Sequence, residues 1–135
     1  MGGSCRLGRH LRITQVGSGQ VFVVMKESPI FSKTYDLVLW LLPQATKFPR
    51  AHRFGLGERI IRQTLDFQET LLKAGLSKRD RSANLDEADI QLALLRQNLR
   101  LCKDLELIKM NQYEHVSTML AEIGRLLGGW KKSNT

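Results

Sequence analysis

Histidines, carboxylates and cysteines could do acid–base, nucleophilic or metal chemistry, and their spacing here argues against all three. His10, His52 and His115 are scattered, and none has a carboxylate or nucleophile at a motif spacing. Glu58 sits beside Arg59 and Arg62, where charge pairing on a helix surface explains it better than general-base work. Asp86, Glu87 and Asp89 crowd together, but at a predicted helix start the helix dipole accounts for them without a metal. Cys5 and Cys102 are far apart and neither belongs to a CxxC pair, so neither a metal site nor a disulfide framework is expected. Cys102 falls on an apolar helical stripe and is expected to pack as a small hydrophobe. Walker, Rossmann, GxSxG and HExxH patterns are absent, and GSG at 17–19 is not followed by the helix and Lys-Ser/Thr that a phosphate loop needs. The expectation is a protein that is not an enzyme by itself and carries no cofactor or metal.

The basic residues remain. Lysine and arginine number 21 against 13 acids, a net charge of +8, with a pI near 9.9. That imbalance speaks to partners and not to fold. Lys47, Arg50, Arg53, Arg59 and Arg62 cluster across the first predicted hinge. Lys78, Arg79 and Arg81 follow the second helix, and Arg96, Arg100 and Lys103 recur at i, i+4 and i+7 on the third. Arginine can contact phosphate in bidentate fashion, so the three clusters together favour polyanion binding over a merely solvated surface. No helix-turn-helix, finger or aromatic RNA-binding signature is present, so readout of backbone or shape is expected. Trp40 and Trp130 are assigned to core or interface anchoring.

The elements that must position these residues are helices. Apolar residues make up 42% of 135 residues, enough for one domain with a core. Ser28-Pro29 suits a helix start, and Ile30, Phe31, Tyr35, Val38 and Leu42 recur at helical spacing, with Leu37 and Leu41 beside them. Pro43 is expected to kink or loosen this helix, and Phe48-Pro49 and the glycines after it to turn the chain. A second helix has Arg59, Arg62, Asp66, Glu69 and Lys73 on its solvent face, and Phe54, Leu56, Ile60, Phe67 and Leu71 opposite. SKRDRSA is a loop by composition, and Asn84–Glu87 and Asn111–Glu114 suggest capping boxes for helices three and four. The third helix carries one stripe of Ala88, Leu92, Leu95, Leu99 and Cys102, and a second of Ile90, Leu94, Leu101, Leu105 and Ile108. The fourth carries Val116, Leu120, Ile123, Leu127 and Trp130.

Four helices with short connections predict an all-α, antiparallel, up-down-up-down four-helix bundle over residues 28–132, with a tail at 133–135. The wide apolar faces of helices one and three exceed one bundle core, and self-association follows. Residues 1–27 are set aside as an N-terminal extension, not native or disordered. LRITQV and QVFVVM around GSG suit a hairpin, but the helical pattern begins just after Met25, which favours Met25 as the natural start. The longest apolar run, Leu37–Leu42, is too short to span a bilayer, and a reduced cytoplasmic setting is expected.

The segment SKTYDLVLWLLPQATKFPRAHRFGLGERI resembles the start of the Avd family, the accessory variability determinants of diversity-generating retroelements. The pieces that carry the likeness are W-L-L-P at 40–43, K-F-P-R at 47–50 and R-F-x-L-G-E-R at 53–59, with GRLLGGWKK near the end. Bundle proteins encoded within ribosomal RNA intervening sequences share the fold, and the K-F-P-R and R-F-x-L-G-E-R pieces favour Avd. The resemblance implies a pentameric barrel with a basic surface that acts beside a retroelement reverse transcriptase and its template RNA in mutagenic cDNA synthesis. It also implies architecture for Phe48, Pro49, Phe54 and Leu56, close helix approach at Gly57, and RNA or polymerase contact for the basic residues. The alternative is a structural or protein-interaction bundle of the intervening-sequence type, whose charge serves solubility.

Overall fold

The structure, a computed structural model, describes residues 28–134. Cys5 and the hairpin suggested around GSG lie outside them. Helix α1, Pro29–Thr46, starts with Pro29 in its first turn, where a missing N–H costs nothing. It buries Ile30, Phe31, Thr34, Leu37, Val38, Leu41 and Ala45. Tyr35 and Leu42, expected on that stripe, are exposed and half-buried. Pro43 does not end the helix, which runs on to Thr46, and the Thr46 hydroxyl donates to the Pro43 carbonyl at 2.9 Å. The carbonyl that Pro43 leaves without a donor belongs to Leu39, an exposed residue, where water can satisfy it.

Phe48 is buried beneath the turn that follows, and its N–H donates to the Ala45 carbonyl at 3.3 Å. A single helical turn, Arg50–His52, then passes into a π-helical turn, Arg53–Gly57, that runs directly into α2, Glu58–Leu76. Pro49 belongs to the turn between α1 and α2, as expected, but Gly55 and Gly57 do not. Both lie in the helical lead-in. Gly57 is buried against α1, where a Cβ would come within 3.1 Å of the Ala45 carbonyl oxygen and 3.4 Å of Phe48 Cδ2. The close approach expected at Gly57 is therefore present. Phe54, expected to serve architecture, does not enter the bundle core. It stands on the π turn about a third of a helical turn or more away from α2's buried stripe of Ile60, Thr64, Phe67, Leu71 and Ala74, and it is 68% exposed.

Helix α3, Arg81–Asp104, begins three residues before the capping box suggested at Asn84. The Asn84 N–H already donates to the Asp80 carbonyl, so the loop shrinks to residues 77–80. Arg81 fastens this corner: Nε donates to the Ala74 carbonyl at 2.7 Å and Nη2 to Gly75 at 3.2 Å, capping the end of α2. At the far end of α3, Glu106 takes the left-handed conformation (φ 61°) that glycine usually fills. The Leu107 N–H then reaches the Cys102 carbonyl and the Glu106 N–H that of Lys103, a Schellman ending. Helix α4, Met110–Ser133, is capped two residues earlier than the Asn111 box suggested, with the Gln112 side chain accepting the Lys109 N–H at 2.8 Å.

The four helices form a closed ring in which each packs on the next and α4 returns to α1. Contacts across two of its seams show the antiparallel order. Along α3, Asp86 and Asp89 meet Lys131, Arg96 meets Leu120, and Lys103 meets Tyr113, so numbers rise on one helix as they fall on the other. Between α1 and α4, Phe31 packs edge-on against Trp130 at 5.7 Å, Trp40 tilts on His115 at 5.1 Å, and Gln44 meets Gln112. The described chain is thus a four-helix bundle. Its core includes the first α3 stripe entire, with Cys102 buried, and Val116, Leu120, Ile123 and Leu127 of α4. The second α3 stripe divides: Ile108 is buried, whereas Ile90, Leu94, Leu101 and Leu105 face outward. At helical spacing those four make a seam opposite the core stripe.

Candidate nucleic-acid interface

The ring order decides which basic clusters meet. The end of α1, the start of α2, the end of α3 and the start of α4 share one end of the bundle, tied by Gln44 to Gln112 and by Gln63 to Asn98. Lys47, Arg50, Arg53, Arg59 and Arg62 crown that end, and Arg100 and Lys103 lie near it on another side. Lys78, Arg79 and Arg81 occupy the opposite end, where α2 passes to α3. The structure therefore gathers two clusters and separates the third.

Their side chains are not equally available. Among the described residues, Lys47, Arg50, Arg59, Arg62, Lys78 and Arg100 make no ion pair, and all are exposed. Glu58, expected to pair with Arg59 or Arg62, forms no ion pair either, so these arginines keep their full charge outward. Arg53 lies 5.4 Å from the Phe54 ring centre, a cation–π contact. Arg79 pairs loosely with Asp80 at 3.5 Å.

Arg81, Arg96 and Lys103 are committed elsewhere. Arg81 caps α2. Arg96 Nη2 donates across the α3–α4 seam to the Leu120 carbonyl at 2.9 Å. Lys103 is half-buried, 3.1 Å from Asp104 and 5.1 Å from the Tyr113 ring centre. A net basic stripe on α3 is thus only partly a free surface. Arg96 and Arg100 nonetheless line an open groove of about 690 Å3 between α3 and α4, shared with Tyr113, Gly124 and Arg125.

Arg125 escaped the sequence reading because only the pairing of α3 with α4 brings it into the groove that Arg96 and Arg100 line. Its guanidinium pairs with Glu122 at 2.6 Å, and that hydrogen bond holds the Glu122 carboxyl below its usual range. The acids Asp86 and Asp89 also have a different cause from the one expected. They lie beyond the first turn of α3 and hold Lys131 between them, at 3.3 and 3.0 Å. The Asp89 hydrogen bond, with Asp86 behind it, raises the Lys131 ammonium above its ordinary value. A second cleft, of about 540 Å3, lies beside the crown and is lined by Phe54, Gly55, Glu58, Arg59, Arg62, Gln63 and Asp66.

Chemically the described surface offers exposed cationic donors that can hold an anion. Cys102 is buried, and burial pushes its thiol up to about 11, away from reactivity. Among the described residues no group of His, Cys, Asp and Glu could hold a metal ion, and no helix is long and apolar enough to cross a membrane. No curated protein matches the chain. A family profile described as bAvd-like does, over residues 29–134, which takes in the K-F-P-R turn, the R-F-x-L-G-E-R lead-in and all four helices: the chain belongs to the bAvd-like family.

Proposed function

We propose that this chain is a non-catalytic accessory protein of a diversity-generating retroelement, binding the reverse transcriptase and template RNA through its basic surface to support mutagenic cDNA synthesis. Membership in the bAvd-like family points to an accessory role of this kind, in association with a retroelement reverse transcriptase. The observation that carries the nucleic-acid part is the crown of Lys47, Arg50, Arg59 and Arg62, exposed and without carboxylate partners. Unpaired guanidinium groups keep their donors for phosphate. The chemistry of synthesis belongs to the polymerase.

The outward seam of Ile90, Leu94, Leu101 and Leu105 supports a homo-oligomer, a pentamer in this reading, which would repeat the crown around a ring and make weak patches multivalent. The setting is cytoplasmic. A bundle of the intervening-sequence type, without a nucleic-acid role, draws support from the internal use of Arg81 and Arg96.

RNA binding across a salt series, with subunit stoichiometry measured in the same samples, separates the two. Affinity that falls steeply with salt in a stable oligomer supports the proposal, at about 0.7 in logarithmic slope per neutralised phosphate on single strands. No binding at low salt by a folded oligomer turns the positive surface over to a protein partner.

A further inference from the structure

Phe54 is an anomaly in a bundle that buries its other phenylalanines inside the described fold: Phe31, Phe48 and Phe67 are all buried. It stands outward from the π turn, the Arg53 guanidinium lies 5.4 Å from its ring, and it walls the cleft shared with Arg59 and Arg62. We infer that Phe54 is a stacking platform for an unpaired base of single-stranded nucleic acid, with Arg53, Arg59 and Arg62 holding the flanking phosphates. The inference rests on the nucleic-acid role proposed above and names the ligand's form: a strand with its bases free, not a duplex.

Three observations converge. An exposed aromatic set among unpaired arginines is the combination that single-strand binding needs, one part for the π-face and one for the backbone. The cleft, about 540 Å3, is large enough for a nucleotide. Gly55 supplies the third. A Cβ there would meet nothing within 4 Å, and no described glycine has a positive φ, so neither packing nor backbone strain inside the chain accounts for a residue that weakens a helix. A base or ribose lying against Phe54 and the bare backbone of Gly55 does account for it. Glu58 and Asp66 also line the cleft, matching Arg59 and Arg62 in number; Arg53, against the Phe54 ring, adds the third cation, and carboxylates can accept from base amino groups.

Charge decides the occupant. An apolar segment of another protein would have to desolvate Arg53, Arg59 and Arg62 without returning their hydrogen bonds, whereas a phosphodiester chain supplies them.

The test uses the full-length protein, an unstructured 20-nucleotide RNA and a fully paired RNA of equal length. Wild type is expected to prefer the single strand. Phe54→Ala should lose about five- to hundredfold in single-strand affinity, with the salt slope and duplex binding unchanged, because stacking releases no counterions. Phe54→Trp should retain affinity and Phe54→Leu should not. Unchanged single-strand affinity in Phe54→Ala overturns the inference, as does full retention by Phe54→Leu, which would make the contact merely apolar. A smaller particle mass for Phe54→Ala in light scattering also overturns it, placing Phe54 between subunits. Failure of the wild type to bind either RNA overturns the nucleic-acid role itself, a result the variants alone cannot give.

Discussion

Gly124 leaves the space that the Arg96 guanidinium occupies. A Cβ on Gly124 would stand 2.7 Å from Arg96 Nη2 and 3.4 Å from Leu92 Cδ2, so the glycine lets arginine lie across α4 and reach the Leu120 carbonyl. Gly124→Ala should change stability by no more than about 1 kcal/mol, since the arginine end can swing away and alanine favours the helix. Gly124→Val should cost about 1–3 kcal/mol, because its branches press on the packed Leu92 as well. Urea unfolding of both variants checks the contrast, and equal effects would mean that Arg96 does not depend on the gap.

The two glycines of the R-F-x-L-G-E-R segment should respond with opposite sign. Gly55→Ala meets open space and should raise stability by about 0.5–1 kcal/mol through helix propensity. Gly57→Ala presses on the Ala45 carbonyl at 3.1 Å, backbone that cannot move without parting α1 from the lead-in, and should lower it by about 1 kcal/mol or more. Thermal unfolding distinguishes them, and a stabilised Gly57→Ala would show that the α1 corner is looser than described.

Arg81 and Arg100 should separate stability from binding. Arg81→Ala frees two carbonyls at the end of α2 and should cost about 1–2 kcal/mol of stability. Arg100→Ala, on an exposed side chain without an ion pair among the described residues, should leave stability within about 0.5 kcal/mol and reduce the single-stranded RNA salt slope by about 0.7. The reverse pattern would assign the phosphate contacts to the far end of the bundle.

Stability should also fall at alkaline pH through Cys102. The unfolded chain releases the thiol proton near 9.0, and the folded chain holds it to about 11. The contribution is therefore complete below pH 9 and is lost as pH rises toward 11, about 2 kcal/mol over that window. Comparing Cys5→Ser with Cys5→Ser/Cys102→Ala at pH 8 and pH 10.5 isolates the effect. The double variant is less stable throughout, from lost packing, but its decline with pH should be shallower. Parallel declines would remove Cys102 as the source.

The bundle was legible because burial repeats with the helix period. The stripe from Ala88 to Cys102 and the one from Val116 to Leu127 could be read directly and are buried throughout. Helix starts were less legible. Asn84 and Asn111 have capping chemistry, but Arg81 finds partners that only the folded corner supplies, and Gln112 makes a local cap with Lys109, which has no capping side chain to announce it. The site was legible as charge and not as geometry. Arg81, Arg96 and Arg100 are the same letter in the sequence, and only the neighbouring helix decides which of them is tied to a backbone carbonyl. Phe54 was misplaced because it lies six residues before Ile60, a spacing that leaves the buried stripe, and residue type alone does not show that the lead-in turns it outward.

The ring order also bears on how fast and in what sequence the fold assembles. Three of its four seams join helices adjacent in the chain, which close over short loops at little entropic cost. The seam between α1 and α4 alone joins the two ends of the described chain. Trp40 and Trp130 both sit on that seam, against His115 and Phe31. Tryptophan fluorescence therefore watches the last gap close, while circular dichroism follows helices that can form before it. A lag between the two signals in a refolding experiment would time the closure of the ring.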